Sequence, residues 1–422
     1  MNIKKLKNFF KIFGPGFITG ASDDDPSGVA TCAQAGARFG YSLLWMPLFI
    51  VPFMIAIQEM CGRIGLVKGR GLGAVIKKRY GKRILLPIVG LLLIANIINI
   101  GANLGAMAAS IRLIIDLPFA VVIIGMTLIT IFLEVFVSYK NYAKYLTFLA
   151  LSLFAYVAVV FMIKQDWSQI AYSTFIPHFQ NSDDYLMSIV ALLGTTISPY
   201  LFFWQASEEV EEEVETKKIK NMGVGKPLIN DTDIRRMRID TVIGMLFSNL
   251  IMFFIIITAA STLFRNGIFN IETAEQAALA LQPLGGELAL TLFVFGIIGI
   301  GLLSVPILAG SASYAVTELL GWKSGLYRKF KAAHGFYAVI AIATLLGLLV
   351  NFSGIKSFTM LFYSAVVNGL VSPFLMIVIV LLAADKKTMG KFTSSKLLNI
   401  LGWTITVIMS LAAIMLIWGW LN

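Results

Sequence analysis

The sequence predicts an all-α polytopic membrane protein of eleven spans, arranged as two inverted five-helix repeats with an eleventh helix appended. Three observations predict it. Of the 422 residues, 58% are hydrophobic and only 14% charged, far from the balance of a water-soluble domain. Apolar runs of about 20 residues recur along the whole chain, each long enough to cross a ~30 Å hydrocarbon core. Two of those runs, the first and the sixth, are interrupted by proline and glycine at comparable depth.

The first span is expected near residues 12–36. Lys4, Lys5, Lys7 and Lys11 lead into it without a small-residue cleavage pattern, so it reads as a full span and not a signal peptide. Its middle holds Asp23, Asp24, Asp25, Pro26, Ser27 and Gly28. The second, near 41–66, carries Glu59 and Arg63; the third, near 84–110, carries Asn96, Asn99 and Asn103. Glu134 lies in the fourth, near 116–137, and the fifth follows near 143–164. The sixth, near 185–208, is interrupted by Gly194, Thr195, Thr196, Ser198 and Pro199. It runs into "SEEVEEEVETKK", which reads as a solvated cytoplasmic helical extension, with a cation-attracting vestibule as the alternative. The seventh to eleventh are expected near 240–264, 284–318, 334–351, 357–383 and 397–420, with a packing kink at Pro306 in the eighth. The whole chain, 1–422, reads as one transport domain, with repeats over about 12–164 and 185–383 and the extra helix over about 397–420.

Charge orients these spans. With a cytoplasmic N terminus, the inner segments 1–11, 67–83, 138–144, 217–238, 322–331 and 385–396 hold 28 of the 34 lysines and arginines. That skew predicts N terminus inside and C terminus outside, in the plasma membrane. It also explains the net charge of +11 through the lipid bilayer as partner, with no nucleic acid required. Cys32, Cys61, His178 and His334 have no ligand-like spacing and read as structural.

The two interruptions are where chemistry is expected. Proline removes a backbone donor and clashes with the preceding turn. In lipid the freed carbonyls must be buried in protein or satisfied by a ligand. Paired breaks five spans apart point to a site between inverted repeats. Each intramembrane carboxylate costs on the order of 2.5–3.5 kcal/mol at a helix centre, and neither broken span offers a lysine or arginine at that depth. A bound cation is the economical partner for Asp23, Asp24 and Asp25.

At these residues the chain resembles a known family. "GPGFITGASDDDPSGVATCAQAGARFGYSLLW" is similar to the first helix of the natural resistance-associated macrophage protein (NRAMP) family of divalent-metal transporters, and "TTISPYLFFWQAS" is similar to its sixth. The resemblance implies the leucine-transporter-type fold and transport of a metal ion as substrate, by alternating access, with no cofactor. It places the metal ligands at Asp25, Gly28, Thr195 and Ser198, with Asp24 and Asp23 beside them. Thr196, Tyr200 and Asn368 further line the site, as does Ala365, where the family often has a metal-facing glutamine.

The departures matter as much. The family's asparagine and methionine ligands are Gly28 and Ser198 here, so the soft thioether is gone. The remaining carboxylate, hydroxyl and carbonyl oxygens suit Mg2+ and Mn2+, and smaller side chains suit a partly hydrated ion. These features resemble the divergent NRAMP-related magnesium transporters. The family's proton-relay positions hold Tyr200 and Gln205, the third span has asparagines but no carboxylate, and the ninth has no arginine. The expectation is Mg2+ and Mn2+ transport without obligatory proton coupling. The alternative is a proton-coupled Mn2+/Fe2+ transporter, with Glu134 and Glu59 as relay groups. The asparagines read as interhelical hydrogen-bonding groups. A Mg2+-dependent membrane enzyme would need a second aspartate motif to clamp metals and leaving group, and none exists, so no enzyme is predicted. A carrier of organic carboxylates would be repelled by the three aspartates.

Overall fold

The computed structural model describes residues 14–137 and 151–421. Residues 12–13 of the first expected span, residues 143–150 of the fifth, and Lys4, Lys5, Lys7, Lys11, Lys140 and Lys144 lie outside the described residues.

The first span is two helices, α1 (Pro15–Asp23) and α2 (Pro26–Phe39). Asp25 Oδ1 accepts the Gly28 amide at 2.7 Å, so the last aspartate of the triplet is the N-cap of α2. Pro26 fills the first helical position, where no amide is needed. Gly40 follows with φ +57°. Next come α3 (Trp45–Lys68), closed by the left-handed Gly69, and the short α4 (Leu72–Tyr80), which the hydropathy pattern did not predict. Then follow α5 (Lys82–Ile111), α6 (Phe119–Phe136), α7 (Phe154–Met162) and α8 (Trp167–Phe175). The sixth span is again split, into α9 (Asp183–Thr196) and α10 (Pro199–Glu215), with Ser198 at the N-cap position and Pro199 opening the second half. The remainder is α11 (Asp231–Thr262), α12 (Ala274–Ala278), α13 (Gly286–Leu320), α14 (His334–Val350), α15 (Ser357–Ala384), α16 (Lys386–Met389) and α17 (Lys396–Leu421). Helix α13 continues through Pro306.

Eight helical stretches among the described residues are long and apolar enough to cross a membrane, counting α9 with α10 as one. The first, fifth and ninth expected spans fall on shorter pieces: α1 with α2, α7, and α14. Apolar side chains exposed along α6 (Leu128, Phe132) and α17 (Leu411, Ile414, Met415) make the outer, lipid-suited face.

Two expectations need correction. Helix α11 starts at Asp231, nine residues before the expected 240, because Asn230 and Asp233 form a capping box ahead of the apolar run. The acidic extension of α10 is not solvated: Glu208, Glu209, Glu211 and Glu213 are all buried. Glu211 accepts from the Tyr314 hydroxyl at 2.7 Å and from the Leu326 and Tyr327 amides, so it pins the loop after α13.

Small residues set the helix crossings that hold the breaks in place. A methyl on Gly20 would lie 2.3 Å from the Gly244 carbonyl oxygen, so the backbones of α1 and α11 touch. A methyl on Gly194 would lie 2.1 Å from the Ala365 carbonyl oxygen and 2.3 Å from the Gly369 nitrogen, the same device between α9 and α15. Helix α5 packs against α13, α14 and α15, and α3 against α10 and α11.

Candidate cation site

The site grows from the two helix breaks. Asp25 is 1% exposed and faces four donors. Oδ1 accepts from the Gly28 amide at 2.7 Å and the Ser27 hydroxyl at 2.6 Å. Oδ2 accepts from Asn103 Nδ2 at 2.9 Å and Asn99 Nδ2 at 3.4 Å, both on α5. Asn99 Oδ1 in turn accepts from Ser364 on α15 at 3.2 Å. An anionic acceptor ringed by donors is a strong, orienting arrangement.

Gly28 shows how the two breaks meet. A methyl placed on it would lie 3.0 Å from the Asp23 carbonyl oxygen, 3.2 Å from Thr195 Oγ1 and 3.6 Å from Asp25 Oδ1. Three oxygens of different kinds, from both broken spans, thus frame the space beside Gly28. Ser198 donates to the Gly194 and Thr195 carbonyls at 2.6 and 2.9 Å, which satisfies acceptors freed where α9 ends. Tyr200 donates to the Ser22 carbonyl at 3.4 Å, tying α10 to α1.

The three aspartates are not one cage. Asp23 and Asp24 share Ser248 of α11, whose hydroxyl lies 2.8 Å from Asp23 Oδ2 and 3.3 Å from Asp24 Oδ1, whereas Asp25 turns to α5. Among the described residues, no group of three or more His, Cys, Asp or Glu is placed to hold one metal ion. Neutral oxygens must supply the rest of any coordination sphere. The other expected lining residues make no hydrogen bond to Asp25 among the described residues. Thr196 donates back to Leu192 on its own helix at 2.8 Å. Ala365 presents backbone, not side chain, to Gly194. Asn368 is buried with neither amide atom partnered, one turn from Ser372, which caps the Ile197 carbonyl at 2.6 Å.

The fit to a cation rests on orphaned acceptors. Asp23 Oδ1, Asp24 Oδ2 and Asn103 Oδ1 are buried without a hydrogen-bond partner, a state that native interiors rarely leave unexplained. Three contributors escaped sequence reasoning. Asn99 and Asn103 do make interhelical hydrogen bonds, but to the key aspartate; their i, i+4 spacing, which puts both on one face of α5, was the available signal. Asn96 bonds Leu308 and Ser311 of α13 as a packing group. Ser248, beside Asn249 in an otherwise apolar run, gave no signal. Of the two relay candidates, Glu59 is ion-paired with Arg63 and Arg238. Among the described residues, Glu134 takes only Thr344 at 3.3 Å and leaves Oε1 without a partner.

Known proteins share this architecture. A protein named divalent metal cation transporter MntH from Bacillus subtilis is 25% identical over 416 residues, covering 96% of this chain and 91% of that one. The crystal structure of the Eremococcus coleocola manganese transporter superposes with a TM-score of 0.78 at 17% identity, over 98% of this chain and 87% of the other. Mhp1, a nucleobase-cation-symport-1 family transporter, superposes with a TM-score of 0.57 at 13% identity, over 96% and 90%. These likenesses give the leucine-transporter-type fold, in agreement with the sequence. The model of the natural resistance-associated macrophage protein-like family matches residues 16–419. The chain belongs to the Nramp family.

Proposed function

We propose that this protein carries divalent metal cations, Mg2+ and Mn2+, across the cell membrane by alternating access as an uncoupled facilitator. The observation that carries the reading is the oxygen-only frame around Gly28. Asp25, Thr195 and the Asp23 carbonyl converge there as oxygen donors, and such donors favour hard cations.

The uncoupled step follows from what surrounds Asp25. Asn99 and Asn103 orient it and neither titrates. At the relay positions of α10, Tyr200 bonds a backbone carbonyl and Gln205 bonds Glu209. An interior-negative potential drives a divalent ion inward by ~4.6 kcal/mol per 100 mV, twice the single-charge value, so no proton is needed. A cytoplasmic N terminus and outer C terminus fit the gathering of Lys68, Arg70, Lys78, Arg79, Lys226 and Lys387 around one pocket. The manganese in the name of the Eremococcus coleocola transporter favours Mn2+ as a cargo; in the second reading its entry is proton-coupled, and Glu134 is the group to watch.

Proteoliposomes with an internal pH dye, clamped with potassium and valinomycin, separate the two. The expected result is Mg2+ and Mn2+ uptake that scales with potential and moves no protons. Stoichiometric acidification, lost in Glu134→Gln, would replace the facilitator by the coupled reading.

A further inference from the structure

Beyond the helix breaks, a second acidic cavity lies at the far end of α10. It encloses about 50 Å3 between α10, α11 and the start of α1, and Glu209, Glu212, Glu213, Asp233 and Asp240 line it. Two cations answer part of this charge: Lys218 pairs with Asp233 at 2.5 Å, and Arg236 with Glu212 at 2.9 Å. Among the described residues, Glu209 accepts only from the Gln205 amide at 2.9 Å. Asp240 accepts from the amides of Gly14, Gly16 and Phe17 and so caps α1.

Glu213 has nothing. It is 1% exposed, and both carboxylate oxygens are buried without a hydrogen-bond partner. A buried, unpaired carboxylate is the costly arrangement, and a cation is what relieves it. Glu209 and Glu213 are four residues apart, on one face of α10, so their carboxylates address the same space. The space is large enough to admit water with an ion, and the carboxylates lining it are hard oxygen donors, with Met237 and the ion-paired Lys218 and Arg236 on the same wall. At ~1.5 Å per residue, the cavity lies roughly 16–22 Å along α10 from Ser198, on the helix that begins at the first site.

We propose that this cavity is a second divalent-cation site, with Glu213 and Glu209 as its two carboxylate ligands and water completing the sphere, a station for the ion between the Asp25 site and the inner solution. The station on that route rests on the reading of Asp25 as the transport site. The test uses the full chain and Mn2+. Diffraction data from crystals soaked in Mn2+ should show an anomalous peak within ligand distance of Glu213, and detergent-solubilised protein should bind about two equivalents at saturation. Glu213→Gln with Glu209→Gln should reduce that to about one, retaining the Asp25 ion; Asp25→Asn should retain the cavity ion. Wild-type protein that saturates at one equivalent with no peak in the cavity overturns the proposal, even if the variants fail to fold. Retained uptake in Asp25→Asn would instead sink the transport-site reading, and the cavity site would still stand or fall by its own peak.

Discussion

Replacing Asp25 by asparagine removes the charge at the centre of the site while leaving its scaffold in place. Alanine would be a blunter tool. It deletes the N-cap of α2, worth ~1 kcal/mol, and strands the buried donors of Asn103 and Ser27, at ~1–3 kcal/mol each. Asparagine keeps one oxygen for the Gly28 amide and the Ser27 hydroxyl. Its new amide meets Asn103, whose Oδ1 has no partner and can accept after a flip. What is lost is one unit of charge. Two unit charges ~4 Å apart interact by ~4 kcal/mol at an effective dielectric of ~20, so a divalent ion feels ~8 kcal/mol. If desolvation offsets roughly half of that, affinity should fall by about a thousandfold, at ~1.4 kcal/mol per decade. Mn2+ titration in detergent and uptake into proteoliposomes measure the loss, and a thermal melt shows that the fold is intact. Asp25→Asn protein that melts within a few degrees of wild type and keeps its Kd and uptake would refute the reasoning.

Three more outcomes follow from neighbouring contacts. Ser198→Met together with Gly28→Asn should shift preference from Mg2+ toward Mn2+ or Cd2+ by roughly tenfold through thioether softness; competition uptake reads it, and an unchanged ratio would show that softness does not set the choice. The same variant should melt lower by ~1–3 kcal/mol of overpacking, because Ser198 is 1% exposed and Gly28 has Thr195 Oγ1 at 3.2 Å from its missing methyl. Asn103→Leu removes the 2.9 Å donor to Asp25 Oδ2 and should raise the KM for Mn2+ about tenfold, the low end for a hydrogen bond to a charged group; an unchanged KM would mean that Asn103 only packs.

The parts of this protein that were legible in the sequence are those whose cause is local. Span length is a local property, and so is the break: Asp25, Pro26 and Gly28 make their own cap within four residues. The Ser198–Pro199 start of α10 is equally local. What sequence could not supply were partners hundreds of residues away. Ser248 meets Asp23 from 225 positions along the chain, and nothing in the apolar run around it marks it out. The acidic stretch of α10 was misread for the same reason. Its charge density resembles a solvated helix, but Glu211 is held by Tyr314, Leu326 and Tyr327, more than 100 residues on. Glutamates that satisfy loop amides can be buried; without the loop in view, the solvated reading was the better physics.

The double role of Asp25 has a consequence for release. An ion held by a lone buried carboxylate would be trapped, since its departure would leave a bare charge in a medium of low dielectric. Here Gly28, Ser27, Asn103 and Asn99 satisfy the carboxylate with protein donors alone. In the proposed site, arrival of a cation would exchange some of those donors for the ion, and departure would restore them. The side amides suit that exchange: Asn103 has an unpartnered oxygen, so a turn about its terminal torsion changes it from donor to Asp25 into a further oxygen facing the ion. The cap bond to Gly28 is fixed by backbone and stays. A transport site must bind strongly enough to load and weakly enough to unload, and two asparagines that substitute for the ion narrow the difference between the loaded and unloaded states more than a second carboxylate on α5 would.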